Sequence, residues 1–149
     1  MTAKANVWAR RKARRALLQA VYQWQLSGND LAALHADFHE SDALRKADQE
    51  FFVELLNKVV RVCPTVDEAY TTLLDRQAQQ LDQVERAILR LATAEFMYRL
   101  DVPYRVVINE YVELAKTFGA TDSYKYINGV LDKLAAQLRA IEVEASARG

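Results

Sequence analysis

The sequence has 149 residues, of which 51% are apolar, so one ordinary domain with a sizeable core is expected. Only four Gly and two Pro occur, which favours helices over short strands joined by tight turns. The single cysteine excludes an internal disulfide, and neither a membrane-spanning run nor a signal peptide is evident, so we expect a cytoplasmic protein.

The net charge of zero hides an uneven distribution of charge. Residues 1–15 carry six cationic side chains and no acid, whereas the rest of the chain has 14 basic against 20 acidic residues. Positive charge concentrated at one end of an acidic chain predicts a localised site for a polyanion. A solvated, charged helix end is the alternative that this run alone leaves open.

Apolar residues spaced three and four apart predict a first helix over Ala9–Leu26, with Asn6 as its N-cap. Gly28 ends that helix, and Asp30 caps a shorter one that continues through Phe38. We therefore expect two consecutive helices joined by a tight turn.

After a polar connection with room for a short helical turn, a third helix is predicted from about Asp48 to Cys63. We expect Pro64 to end it. Thr65 and Glu68 then form the pattern of a capping box, which predicts a fourth helix through Leu74.

Asp82 and Glu85 repeat the capping-box pattern and begin a central helix that continues to Tyr98. A sixth helix follows the interruption at 101–103 and reaches Phe118, where Gly119 closes it. Residues 121–123 cap the last helix, which runs to Leu138. Within it Gly129 predicts close helix packing, and we expect the tail after Glu142 to fray.

The predicted fold is all-α, with about seven helices in a single domain over residues 1–149. A division near Pro64 separates an N-terminal helical half, residues 1–63, from a C-terminal half, residues 65–142.

Four segments, taken together in order and spacing, resemble the NusB family. They are RRKARRALLQAVYQW at 10–24, QVERAILR at 83–90, DVPYRVVINE at 101–110 and ELAKTFGATDSYKYINGVLD at 113–132. The region from about Ala32 to Gln80 matches only loosely. The resemblance implies a bundle of seven helices in two subdomains and a non-enzymatic role in transcription antitermination.

The resemblance also implies partners. These are the boxA element of ribosomal RNA transcripts, the small-subunit ribosomal protein NusE, and the transcription elongation complex with other Nus factors. We assign partner contacts to Glu85 and Arg86. The oligomeric state is left open, with a homodimer formed by the isolated chain as one alternative.

Positive charge at a helix N-terminus and nearby aromatic rings are the features expected of a single-stranded RNA site. From the residues and the family resemblance together, the predicted RNA-binding residues are Arg10, Arg11, Lys12, Arg14, Arg15, Tyr22, Phe118, Asp122, Lys125 and Tyr126. Mutual repulsion among the cations predicts that residues 1–9 are mobile until phosphates neutralise the arginines. Each aromatic residue, taken alone, has a place in the core as its alternative.

Asp122 is the unusual member, because an acid beside RNA repels it. We expect its side chain to cap the last helix and to weaken RNA binding at the same time. Asp122→Asn should therefore keep the cap and bind RNA more tightly.

Catalysis and metal binding find little support in the sequence. Cys63 has no evident base, and we interpret it as a small buried apolar residue. His35 and His39 lie four residues apart, but only Asp37 or Glu40 could complete a metal site, so we expect neither a metal nor a cofactor.

Two rival interpretations remain. The first is a helical adaptor that binds protein without specific RNA recognition. The second is the NusB-like domain of an RNA cytosine methyltransferase, in which the chain is expected to continue into a nucleotide-binding domain beyond Gly149.

Overall fold

The computed structural model describes residues 3–39 and 41–148, with only the backbone described for residues 3–6. The described chain is all-helical, as predicted, with eight α-helices instead of about seven. Their bounds are α1 Ala3–Ser27, α2 Leu31–His39, α3 Gln49–Arg61, α4 Cys63–Thr71, α5 Gln83–Tyr98, α6 Tyr104–Phe118, α7 Ser123–Leu138 and α8 Ala140–Arg148. Two short 3-10 helices, Asp42–Leu44 and Ala78–Gln80, lie in the connections.

The chain divides into two compact units, and the second begins at Val62. In the first unit α1 packs on α2 and α3. Its core is closed by large side chains that are almost fully buried, namely Leu17, Leu34, Phe51, Phe52, Leu55 and Leu56. Burial of such side chains is the main favourable contribution to the stability of this unit.

Helix α1 is longer than predicted, because it begins at Ala3 and not at Ala9. Asn6 therefore lies inside the helix, and its predicted role as N-cap is wrong. Alanine has the highest helix propensity, which favours the extra turns. The structure places residues 3–9 in α1, and Met1 and Thr2 lie outside the described residues; the mobility of residues 1–9 without RNA stays a prediction.

The turn between α1 and α2 forms as predicted. Gly28 adopts a positive φ of 70°, and its N–H donates to the carbonyl oxygen of Trp24 at 2.8 Å. Glycine adopts this conformation without steric cost. The Asp30 carboxylate accepts a hydrogen bond from the Ala33 N–H at 2.9 Å, which confirms Asp30 as the cap of α2.

The predicted capping box at Thr65 is wrong. Helix α4 begins at Cys63, two residues before Thr65, and Pro64 lies in its first turn. Proline is tolerated there because the N–H that it lacks has no acceptor within the helix. The helix ends at Thr71, three residues before the predicted end.

In the second unit, α5 is the central helix and packs against α4, α6 and α7. The predicted capping box at its start is confirmed, since the Asp82 carboxylate accepts from the Glu85 N–H at 2.7 Å and Glu85 accepts from the Asp82 N–H at 3.1 Å. Most of the residues of α5 are themselves buried, on nearly all sides of the helix. Among them is Glu95, whose carboxylate accepts a hydrogen bond from the Tyr111 hydroxyl at 2.7 Å.

The tail after Glu142, predicted to fray, is helical and belongs to α8. Arg139 is buried, and its guanidinium donates to the carbonyl oxygens of Phe96 at 2.8 Å and Val102 at 3.0 Å. Glu142 accepts from Arg139 at 2.7 Å and from the Tyr104 N–H at 2.8 Å. These long-range contacts stabilise α8, which has no sustained apolar face of its own.

Candidate nucleic-acid interface

The cationic side chains of α1 do not all face solvent. The Arg10 guanidinium lies 3.4 Å from the Asp48 carboxylate and 5.1 Å from the centre of the Phe51 ring. Arg14 is only 3% exposed, and its guanidinium lies 5.0 Å from the same ring. A cation over an aromatic face is attracted by the ring quadrupole. Arg10 and Arg14 therefore hold α1 against the start of α3.

The other predicted cations of the site, Arg11, Lys12 and Arg15, are exposed. Arg11 and Arg15 lie on the exposed side of the helix, and the Lys12 ammonium donates to the carbonyl oxygen of Arg45 at 3.1 Å. Tyr22, two turns after Arg15, is also exposed. The structure thus divides the predicted basic site into two parts. We call Arg10 and Arg14 the inward pair, and Arg11, Lys12 and Arg15 the outward group.

Sequence reasoning missed Trp8, which precedes the arginine run. Its side chain is 57% exposed, and the Arg11 guanidinium lies 5.4 Å from the centre of its ring. The signal that could have found it is the spacing of three residues between Trp8 and Arg11, which places both on one helix face.

A second group of predicted residues lies at the start of α7, in the second unit. Asp122 occupies the N-cap position in a left-handed conformation, with φ 66°, but its side chain makes no capping hydrogen bond. The prediction that this side chain caps the helix is therefore wrong. Its carboxylate lies 3.4 Å from the Lys125 ammonium instead.

Aromatic rings and cations alternate around the start of α7. Lys116 and Lys125 place their ammonium groups 5.2 Å and 6.0 Å from the centre of the Tyr124 ring. The Arg76 guanidinium lies 3.7 Å from the centre of the Tyr126 ring. We call these five residues the α7 cluster; Arg76 and Lys116 were not predicted.

Tyr126 is half-buried, and its hydroxyl oxygen is shielded from solvent. Burial raises the pKa of its hydroxyl, although the charge of Arg76 acts in the opposite direction. Phe118, at the end of α6, is exposed. The adjoining Gly119 has no room for a side chain, because a Cβ there would lie 2.7 Å from the carbonyl oxygen of Ala115.

Glu85 and Arg86, the predicted partner-binding residues, are both engaged within the second unit. Glu85 is buried and, besides its part in the capping box, accepts a hydrogen bond from the Ser123 hydroxyl at 2.9 Å. Arg86 donates to the carbonyl oxygen of Ala78 at 2.6 Å. Glu85 therefore fixes the start of α7, and with it the α7 cluster, to α5.

The candidates for catalysis are also engaged in structural contacts. Cys63 is half-buried, not buried as predicted, and burial raises the pKa of its thiol to about 11, which leaves it protonated at neutral pH. His35 shares a hydrogen bond of 2.9 Å with the Asn57 side chain. Among the described residues no group of three or more His, Cys, Asp or Glu could hold a metal ion, and Glu40 lies outside them.

Within the described ranges no helix combines the length and the apolar character needed to cross a membrane. The described chain is thus an all-helical protein of a class with exposed arginines on one helix and a cluster of aromatic rings and cations on another.

The model of the NusB family matches residues 11–136. The transcription antitermination protein NusB of Alcanivorax borkumensis is 57% identical over 134 residues, which cover 90% of this chain and 89% of that protein. The corresponding protein of Ralstonia nicotianae is 50% identical over 137 residues, covering 92% and 88%. The chain belongs to the NusB family.

A solved structure agrees with this assignment. T. maritima NusB superposes with a TM-score of 0.75 at 28% sequence identity, over 85% of this chain and 90% of the other. The helical fold predicted from the sequence is thereby confirmed.

Proposed function

We propose that this chain is a cytoplasmic, non-catalytic transcription antitermination factor that binds the boxA element of ribosomal RNA transcripts together with NusE and other Nus factors. Membership of the NusB family supports the role, since the relatives carry the name of transcription antitermination proteins. The observation that carries the RNA-binding part is the outward group on α1, where Arg11, Lys12 and Arg15 follow a first turn without acids.

The outward group and the α7 cluster differ in chemistry, and we assign them different parts of RNA binding. Cations such as Arg11 and Arg15 attract phosphates without reading sequence, whereas aromatic rings stack on unpaired bases. The α7 cluster supplies rings and cations together, and Phe118 adds an exposed ring. Arg10 and Arg14 contribute by holding α1 in place, because their guanidinium groups lie over Phe51.

The test is a titration of labelled boxA RNA and a scrambled RNA of equal length, at several salt concentrations, with and without NusE. We expect preference for boxA, tighter binding with NusE, and affinity that falls steeply with salt through counterion release. Equal affinity for both RNAs would favour the protein-binding adaptor. Affinity that does not change with salt would exclude the arginines as the phosphate site.

A double variant tests whether the outward group contacts phosphates. Arg11→Gln with Arg15→Gln removes two phosphate contacts, so the slope of log affinity against log salt should fall by about 1.4, at about 0.7 per contact for single strands. Asp42→Asn, a charge change on the short 3-10 helix of the same unit, is the control and should leave the slope unchanged. An unchanged slope in the double variant would contradict the assignment.

A further inference from the structure

One face of α1 remains exposed along most of the helix. Its residues follow one another at intervals of three or four positions, which in an α-helix places them in one row. They are Trp8, Arg11, Arg15, Gln19 and Tyr22, and all five are exposed. The opposite side of the helix is buried through Ala13, Leu17, Ala20 and Val21.

The row begins and ends with an aromatic ring and has two arginines between them. Tyr22 lies fourteen positions after Trp8, which corresponds to about 21 Å along the helix axis at about 1.5 Å per residue. Since α1 is continuous over Ala3–Ser27, the row is carried by one rigid element. A row of this length spans several nucleotides of an extended strand.

Trp8 is the unusual member of this row, because a large apolar ring is left exposed to solvent. Its large ring is 57% exposed, so little of its apolar surface is removed from water by folding. The Arg11 guanidinium lies 5.4 Å from the ring centre, and Arg15 is one turn further along the same row. The ring therefore lies where positive charge attracts a phosphate backbone.

We propose that Trp8 is a base-stacking residue for single-stranded RNA, with Arg11 and Arg15 contacting the phosphates beside it; this rests on the RNA-binding function proposed above. A tryptophan ring offers the largest face for stacking on a base, and such stacking tolerates any base. The surface is cationic and aromatic and not broadly apolar, which favours a nucleic acid over a second protein as its occupant.

The first experiment measures the affinity of the full chain for boxA RNA after single substitutions. Trp8→Ala should weaken binding about five- to hundredfold, the range found for loss of one stacked base, whereas Trp8→Phe should retain most of the affinity. Val7→Ala is the matched control, because Val7 is 47% exposed and adjacent but has no ring. It should bind as the parent does.

The second experiment observes the ring directly. The chain has two tryptophans, so Trp24→Phe leaves Trp8 as the only one, and stacking should quench its fluorescence in proportion to the bound fraction of RNA. Fluorescence that is unchanged at saturating RNA would overturn the proposal.

The outcomes distinguish this inference from the function on which it rests. If Trp8→Ala binds RNA as the parent does while the double arginine variant loses affinity, Trp8 does not stack and the RNA-binding function stands. If neither variant loses affinity, the RNA-binding function proposed for α1 is wrong as well. If Trp8→Ala weakens only binding of NusE or self-association, the ring contacts protein and the proposal is overturned.

Discussion

The polar network around Asp67 joins α4 to α5 and provides a sharp test of the physical reasoning. The Arg90 guanidinium donates to both carboxylate oxygens of Asp67 at 2.9 Å, and the Tyr70 hydroxyl donates to the same group at 2.8 Å. The Cys63 thiol donates a fourth, longer contact of 3.4 Å. Asp67→Asn keeps the size of the side chain but replaces one acceptor oxygen by a donor that faces these donors.

The expected loss of stability depends on how far the Asp67–Arg90 pair is shielded from solvent. Hydrogen bonds to charged groups contribute about 1.5–3 kcal/mol each, and breaking a buried ion pair costs about 3–5 kcal/mol. The Asp67 side chain is 28% and the Arg90 side chain 13% exposed, so solvent screens part of the effect and we expect about 2–3 kcal/mol. For a chain of this size that lowers Tm by about 4–12 °C.

A matched control is present in the same unit. Arg99 and Asp101 form a similar two-point pair, with both distances 3.0 Å, but the Asp101 side chain is 54% exposed. Asp101→Asn should cost about 0.5 kcal/mol. Urea denaturation of both variants, followed by circular dichroism, measures the difference. If Asp67→Asn destabilises the chain no more than Asp101→Asn, shielding does not govern the strength of these pairs.

The pH dependence gives the same test a second readout. Burial alone raises the pKa of Asp67, but hydrogen bonds from Arg90 and Tyr70 outweigh it and hold the pKa below its usual value. The carboxylate therefore stabilises the fold above the unfolded-state pKa of about 4, and this contribution is lost as the pH falls through the lower folded-state pKa. The difference in stability between the parent and Asp67→Asn should therefore begin to narrow below about pH 4 and vanish only as the pH falls below the lower folded-state pKa.

Three further substitutions have expected outcomes. Thr93→Val should raise stability by about 1 kcal/mol in urea denaturation, because the Thr93 hydroxyl is buried with no hydrogen-bond partner in the described chain; a loss would contradict this. Gly129→Ala should add about 0.5–1 kcal/mol, since nothing lies within 4 Å of an added Cβ. Asp122→Asn should tighten RNA binding about two- to fivefold at low salt, because it releases Lys125 from an exposed ion pair; equal or weaker binding would remove Asp122 from the site.

Elements with a local cause were predictable from the sequence. The capping box at Asp82 and the glycine turn at Gly28 depend on residues only a few positions apart, and both form as predicted. The start of α4 was not predictable in this way, because Pro64 fits equally after one helix or in the first turn of the next. Gly129 was misjudged for a related reason. A glycine within a helix predicts close packing, but the surface around Gly129 is open.

The candidate site was predictable in composition but not in orientation. Cations at positions 10, 11, 12, 14 and 15 surround the helix, so the sequence of α1 alone does not decide which of them face inward. The decision depends on Asp48 and Phe51, more than 30 residues away, which draw Arg10 and Arg14 towards α3. The Arg76 contact with Tyr126 likewise joins residues 50 positions apart.

Several of the acidic residues beyond residue 15 have structural roles inside the second unit. Glu85 and Glu95 are buried, and Asp67 is paired with Arg90. A buried carboxylate is stable only where hydrogen bonds compensate its lost hydration, and Glu85 obtains one of them from Ser123 at the start of α7. Part of the negative charge therefore stabilises the helices that hold the α7 cluster.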